Sequence, residues 1–258
     1  MGQEQYAALL LTDMIPIAIN YKMKTSIPPQ KRQHDKHSCY NKRQSIPQQR
    51  REQDDMSDNF ISRGFRGRRQ NSDVSARIPP GQYLERGFPV LSAGPTPRTP
   101  LTAWDFSIMS GNQQVQRWTW DEFRALPREA VQKDIHCVTK WSKLDTHWEG
   151  VSVDTLLGQV TSDASYIVAF CDGGYTTNLP IADVTNGKAW VVDTYEGQPL
   201  PPEHGGPVRL LVPHLYFWKS AKWVRGLRLL NHDEPGFWEA LGYHNHGDPW
   251  KEERYWGD

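Results

Sequence analysis

The chain predicts an α+β fold, mixed and strand-dominated, with short helices. Three observations carry that prediction. Short β-branched and apolar runs such as "SYIVAFC", "KAWVVDTY", "PVRLLVP" and "AKWVRGLRLL" are separated by turn residues, which is how strands of a meandering sheet read. Proline or glycine stands at nearly every fourth position of "RIPPGQYLERGFPVLSAGPTPRTPLTAW", residues 77–104, so no long helix can form there. Strand and helix patterns do not alternate as in a doubly wound fold, and no GxGxxG or Walker A sequence is present.

Taken in order, the elements begin with a segment of different character. Residues 1–55 carry nine Lys and Arg against six Asp and Glu, a net +3, and few large apolar groups. Such a stretch buries too little surface to offset its ordering entropy, and residues 1–75 are expected to be a disordered N-terminal extension. Met56 opens "MSDNFISRGFRGRRQ" like a natural start, so residues 1–55 are expected to be an upstream extension from a misplaced start codon. The globular domain is then 76–258. Its first part wraps as an extended segment. "TWDEFRALPREAVQK" follows with Thr119 and Glu122 at capping-box spacing and Phe123 and Leu126 on one face, a short helix disturbed at Pro127. "DIHCVTKW" alternates and reads as a strand that ends near Trp141, and "SVDTLLGQV" (152–160) as a short helix. "SYIVAFCDGGYTTNLPI" reads as strand, Asp-Gly-Gly turn, strand. Three more short strands close the pattern.

Charge and cysteine content exclude several classes. Thirty basic and thirty acidic residues cancel, so the chain lacks the field of a nucleic-acid or membrane-surface binder. The three cysteines Cys39, Cys137 and Cys171 show neither CxxC nor zinc-type spacing, which argues against a disulfide scaffold and for a reducing compartment. The apolar stretch 6–19 is broken by Asp13 and has no basic residue before it, a poor signal peptide. The expectation is a cytoplasmic protein with no membrane insertion and no nucleic-acid partner.

Two stretches carry candidate chemistry. Between Pro207 and Leu230 stand Arg209, Lys219, Lys222, Arg225 and Arg228 with no acidic residue. Ammonium groups, the Ser220 hydroxyl and free backbone N–H groups of "KSAK" are the donors a phosphate wants. A solvated basic strand is the plain alternative. Cys137, in "DIHCVTKWSKLDTHWEGV", reads as a packed core thiol, a nucleophile or a soft-metal ligand. Neighbouring strand residues face opposite ways, so His136 does not make a Cys-His dyad with it. One cysteine binds a metal only where a cofactor brings the other ligands. His244 and His246, two apart, make two ligands and no site, His232 notwithstanding.

Together these stretches resemble the sulfite oxidase family of molybdopterin-dependent oxidoreductases. From about Pro79 onward, "PPGQ" with "GFPVL", "DIHCVTKWSKLDTHWEGV", "HGGPVRLLVP" and "KSAKWVRGL" occur in that family's order, and "DEPGFWEALGYHN" with "GDPWKEERYW" resembles the close of its small stand-alone bacterial members. The resemblance implies a sulfite oxidase-type molybdopterin-binding fold. It also implies a molybdenum-molybdopterin cofactor whose metal, cycling between Mo(VI) and Mo(IV), takes one thiolate, that of Cys137, as catalytic ligand. The cofactor-binding positions it implies are Arg209, Ser220, the backbone of Ala221 and Lys222 at the phosphate, His204 at the pterin and Cys171 beside it. The activity implied is oxygen-atom or two-electron transfer on a small substrate (sulfoxide, N-oxide or sulfite-like), with an external electron-transfer partner because no second cofactor motif is visible. A non-catalytic aromatic-rich β-domain binding an anionic ligand or polysaccharide is the alternative, and a thiol hydrolase comes third.

Overall fold

Eleven strands gathered into two sheets account for the framework of residues 72–258, the part of the chain described by the computed structural model. The expected N-terminal extension falls almost wholly on residues 1–71, outside the described residues. A single helical turn α1 (Ser72–Ser75) leads into the extended segment, which contributes only β1 (Tyr83–Leu84) before a hairpin of β2 (Asp105–Ser110) and β3 (Gln113–Thr119). That hairpin has no counterpart in the sequence reading. Its turn is Gly111, held at φ 56°, where glycine meets no steric penalty.

The helix α2 (Trp120–Arg124) begins as the capping box predicts, with the Thr119 N–H donating to Glu122 Oε2 at 2.8 Å. Next come β4 (Glu129–His136) and β5 (Trp141–Ser152), an antiparallel pair joined through Cys137–Lys140. The strand expected to end near Trp141 therefore ends five residues earlier, at His136. The Lys140 N–H donates to Cys137 O at 3.0 Å and Lys140 takes φ 74°, so the β-branched "CVTK" closes a turn instead of extending the strand.

The second half matches the expected pattern. Ser152 caps α3 (Val153–Leu157), its hydroxyl accepting from Thr155 N. There follow β6 (Tyr166–Cys171), β7 (Thr176–Pro180), β8 (Trp190–Tyr195), the two-residue β9 (Gln198–Pro199), β10 (Arg209–Leu211), β11 (Val224–Leu230) and α4 (Phe237–Ala240). One sheet runs β1-β5-β8-β10 with β4 on β5 and β9 on β8; the other runs β3-β2-β11-β6-β7.

Two apolar clusters sit on this frame. The first gathers Trp104, Phe106, Phe123, Leu156, Ile167, Cys171, Ala221, Val224 and their neighbours. The second is aromatic, built from Trp141, Trp148, Trp190 and Phe217 around Ile135, Leu200 and Leu211, and it contains Cys137. The two cysteines named by the sequence reading thus belong to different cores.

Candidate active site

Cys137 occupies the first position of the β4–β5 turn, where its N–H donates to Trp141 O at 2.8 Å and the Gln82 side-chain amide donates to its carbonyl at 3.1 Å. Both bonds fix the backbone, so the direction of the thiol is set before any ligand arrives. Its sulfur, on a residue 8% exposed, accepts from the Thr139 hydroxyl at 3.1 Å. Burial pushes the thiol pKa up, while that hydrogen bond and the charges of Arg209 and Arg254 pull it down. Cys171, at the end of β6, is held well above the ordinary thiol range by burial first and by Asp172 second.

His136 takes no part in activating the sulfur. Its Nδ1 pairs with the Ser142 hydroxyl at 2.9 Å, and burial lowers its pKa to about 4. The folded chain resists the proton that the unfolded chain accepts below about pH 6.5. Stability linked to His136 is thus complete above pH 6.5 and is lost as the pH falls toward 4, by an amount on the order of 3 kcal/mol. Urea titrations at pH 7 and pH 4.5 are expected to show a smaller acid loss in His136→Asn than in the wild type; equal losses would refute the assignment.

The remaining candidates converge on an arch between β10 and β11. Arg209, 1% exposed, donates from Nη1 to His204 O at 2.8 Å and from Nη2 to Ser220 O at 2.6 Å, and its guanidinium lies 4.0 Å from the Phe217 ring centre. Lys222 pairs with Arg209 across the arch and donates to Glu203 O and Leu91 O at 2.6 and 2.7 Å. The Ser220 hydroxyl accepts from Val212 N at 2.9 Å, which leaves its own proton for a ligand. The carbonyl of Ala221 is taken by Leu210 N. His204 stacks on Phe88 at 3.9 Å and 7°. A Cβ on Gly206 would strike Leu200 O, and Gly205 holds φ 113°, so this turn approaches its neighbours as only glycine can.

The basic run proves not to be one field. Lys219 is buried against Glu239 at 2.6 Å, and Arg225 pairs with Asp105 and with Asp172. Of the five, carboxylates hold Lys219 and Arg225, while Arg209 and Lys222 bring their side-chain donors to the arch. The late histidines are occupied by carboxylates as well: His244 and His246 contact Glu253, His246 also contacts Asp183, and His232 contacts Glu234.

These residues fit an anionic, metal-bearing cofactor on three counts. Arg209 is a buried cation with no carboxylate partner among the described residues, and its Nε, like His204 Nδ1, is a buried polar atom without a hydrogen bond. A buried charge and buried donors of this kind call for a ligand. No group of three His, Cys, Asp or Glu among the described residues is placed to hold a metal alone, so a metal at Cys137 takes its other ligands from the cofactor. A cleft of about 1170 Å³ passes Gly206, Glu203, Leu200 and Trp120 but does not include Cys137; the donor chemistry, not this hollow, locates the site. Gln82, Phe88, Thr139 and Phe217 complete the surroundings. Gln82 and Phe88 fall in the quoted stretches "PPGQ" and "GFPVL" and Thr139 in "DIHCVTKW", though none of the three was singled out there, and Phe217 lies outside the quoted stretches.

Two buried thiols, Cys137 and Cys171, within reach of the charge of a cationic arch with unsatisfied donors define a site suited to an anionic cofactor that brings its own metal ligands. The sequence model of the oxidoreductase molybdopterin binding domain matches residues 93–238. The chain is 40% identical over 195 residues to the uncharacterized oxidoreductase YuiH of Bacillus subtilis, covering 74% of this chain and 98% of that one. It is 34% identical over 129 residues to the putative protein-methionine-sulfoxide reductase subunit YedZ1 of Azospira oryzae (49% and 48% covered). Over 184 residues it is 26% identical to the protein-methionine-sulfoxide reductase catalytic subunit MsrP of Pseudomonas syringae pv. tomato (63% and 53%). The chain spans about half the length of these last two relatives. It belongs to the oxidoreductase molybdopterin binding domain family, the sulfite oxidase-like group that its sequence resembles, and is a molybdopterin-dependent oxidoreductase with molybdenum-molybdopterin as cofactor.

Proposed function

We propose that the chain transfers an oxygen atom or an electron pair between a small substrate, of the sulfoxide, N-oxide or sulfite-like kind, and molybdenum held by the Cys137 thiolate. The observation that carries this reading is the pairing of one buried thiol with a buried, carboxylate-free Arg209. The relatives named as methionine-sulfoxide reductase proteins favour a sulfoxide.

When bound, the cofactor supplies a metal that changes oxidation state by two and exchanges an oxygen atom. The chain supplies the rest. Cys137 gives a soft donor whose orientation is fixed by Thr139 and by the turn. Arg209, Lys222 and the Ser220 hydroxyl would hold the anionic end of the cofactor, and His204 Nδ1 and Arg209 Nε, both without a partner, would offer it further hydrogen bonds. Cys171, at the end of β6 and reached by the same Arg209 charge, would stand beside the cofactor. The aromatic wall of Trp141, Trp148 and Phe217 excludes water from the sulfur. Electrons pass to or from an external partner, in keeping with relatives described as a subunit and a catalytic subunit.

Protein purified from a host that makes the cofactor is expected to hold about one molybdenum and one pterin per chain, read by elemental analysis and by the fluorescence of the oxidised pterin. Metal-free, pterin-free protein from that host would overturn the proposal.

A further inference from the structure

Residues 87–99 run past the arch with few ties to the body of the protein. Both ends of the segment are pinned. Before it, β1 pairs with β5 and the Glu85 N–H donates to Ser142 O at 2.8 Å; after it, Trp104 sits in the first core. Between these points no backbone–backbone hydrogen bond joins the segment to the rest of the described residues. Val90 and Leu91 face water, at 52% and 38% exposure. The cleft of about 1170 Å³ is lined by residues 96–99 of the segment together with Leu200, Glu203 and Gly206 of the turn around His204, so the chain is not packed down there.

Three contacts hold the segment in place. Phe88 stacks on His204 at 3.9 Å and packs among the rings of Trp141, Trp148, Tyr195 and Phe217. Lys222 Nζ donates to Leu91 O at 2.7 Å, and the Thr99 hydroxyl donates to Asp172 Oδ2 at 2.6 Å. Two of the three end on residues of the cofactor arch. Phe88 takes the face of the His204 ring, whose Nδ1 has no hydrogen bond. Lys222 spends two of its three N–H donors on Leu91 O and Glu203 O, which leaves the third for an anion. A group bound at both residues fixes the partners of the segment, and the segment in place fixes the residues that bind the group. The two events are therefore linked, each favouring the other by the same factor. A stretch with so few contacts opens locally at low cost.

We propose that residues 87–99 form a loading strap: it opens in the cofactor-free chain to admit the molybdopterin and closes once the cofactor holds Lys222 and His204. This rests on the molybdopterin reading above and adds how the cofactor enters and is kept.

Trypsin reads the strap directly, because Arg98 lies exposed within it and cleavage of a folded chain follows the population that is open. The full-length protein is taken from a host that makes the cofactor and from one that does not, and cleavage of the Arg98–Thr99 bond is followed by mass spectrometry. Cleavage is expected to be roughly 5- to 150-fold slower in the loaded protein, the usual range of coupling between two sites. Thr99→Val removes the tie to Asp172 and touches no residue proposed to hold the cofactor. In the loaded protein it is expected to speed cleavage at Arg98 and to hasten loss of pterin on dialysis, with the melting temperature of the cofactor-free chain unchanged. Phe88→Ala is expected to have the larger effect on both rates; where it does not fold, Thr99→Val decides. Equal cleavage of loaded and cofactor-free protein, or a Thr99→Val protein that keeps both its protection and its pterin, would overturn the strap. Pterin-free protein from the competent host would instead overturn the molybdopterin reading itself, and the strap with it.

Discussion

Cys137→Ser is expected to lower turnover more than roughly 100-fold, since loss of partners only indirectly attached to a metal already costs 10- to 100-fold. The substitution changes one atom. Serine fits the space of the buried thiol and still accepts from the Thr139 hydroxyl, so the turn closed by Lys140 N and Cys137 O persists. Folding stability is expected to change by about 1 kcal/mol, the common size for a conservative buried change. An alcohol is far harder to deprotonate than a thiol and a poor ligand for a soft metal. The pterin is expected to remain, because the groups proposed to hold it, Arg209, Lys222, Ser220 and His204, are untouched. Three measurements on one preparation decide the matter: pterin content unchanged, the sulfur-to-metal absorption band lost, and turnover reduced. A serine variant with wild-type turnover would place the protein ligand elsewhere, with Cys171 the next candidate.

What the sequence made legible follows from how local each signal is. The α2 capping box and the β6–β7 pair joined at Asp172–Gly174 are encoded within a few residues, and both stand where they were expected. The β2–β3 hairpin is also locally encoded, by alternation at Phe106 and Ile108 before the Gly111 turn, a weaker signal than an Asp-Gly-Gly turn between two apolar runs. In β5 exposed Asp145 and His147 alternate with buried Thr146 and Trp148, a pattern as local as that of the preceding strand. Long-range facts fared differently. No local pattern announces that Lys219 meets Glu239 or that Arg225 meets Asp105, so five basic residues read as one field although carboxylates hold two of them. The meeting of Phe88 with His204, 116 positions apart in the chain, is likewise a product of the tertiary fold.

Arg209→Met is expected to move cofactor retention and cofactor-free stability in opposite directions. In the chain without cofactor, the Arg209 charge is a cost: burial depresses its pKa, and its hydrogen bonds end on two carbonyls, not on an anion. Methionine has similar length, no charge and a thioether suited to the Phe217 and Trp148 rings that now face the guanidinium. Loss of the bonds to His204 O and Ser220 O costs about 1 kcal/mol each, against the several kcal/mol that desolvating an ion demands. The melting temperature of the cofactor-free chain is therefore expected to hold or rise. Retention of the cofactor is expected to fall roughly ten- to a hundredfold, the contribution of a charged donor to a phosphate. Arg209→Lys is not expected to restore it, because one ammonium cannot reach both carbonyls and a ligand as the planar fork does. Thermal melts of the cofactor-free protein and pterin content after dialysis read the two effects separately. A methionine variant that kept its pterin would remove Arg209 from the cofactor site, and one that melted far below wild type would show the buried charge to be matched by a partner within the chain. The opposite signs are what distinguish a residue kept for its ligand from one kept for the fold.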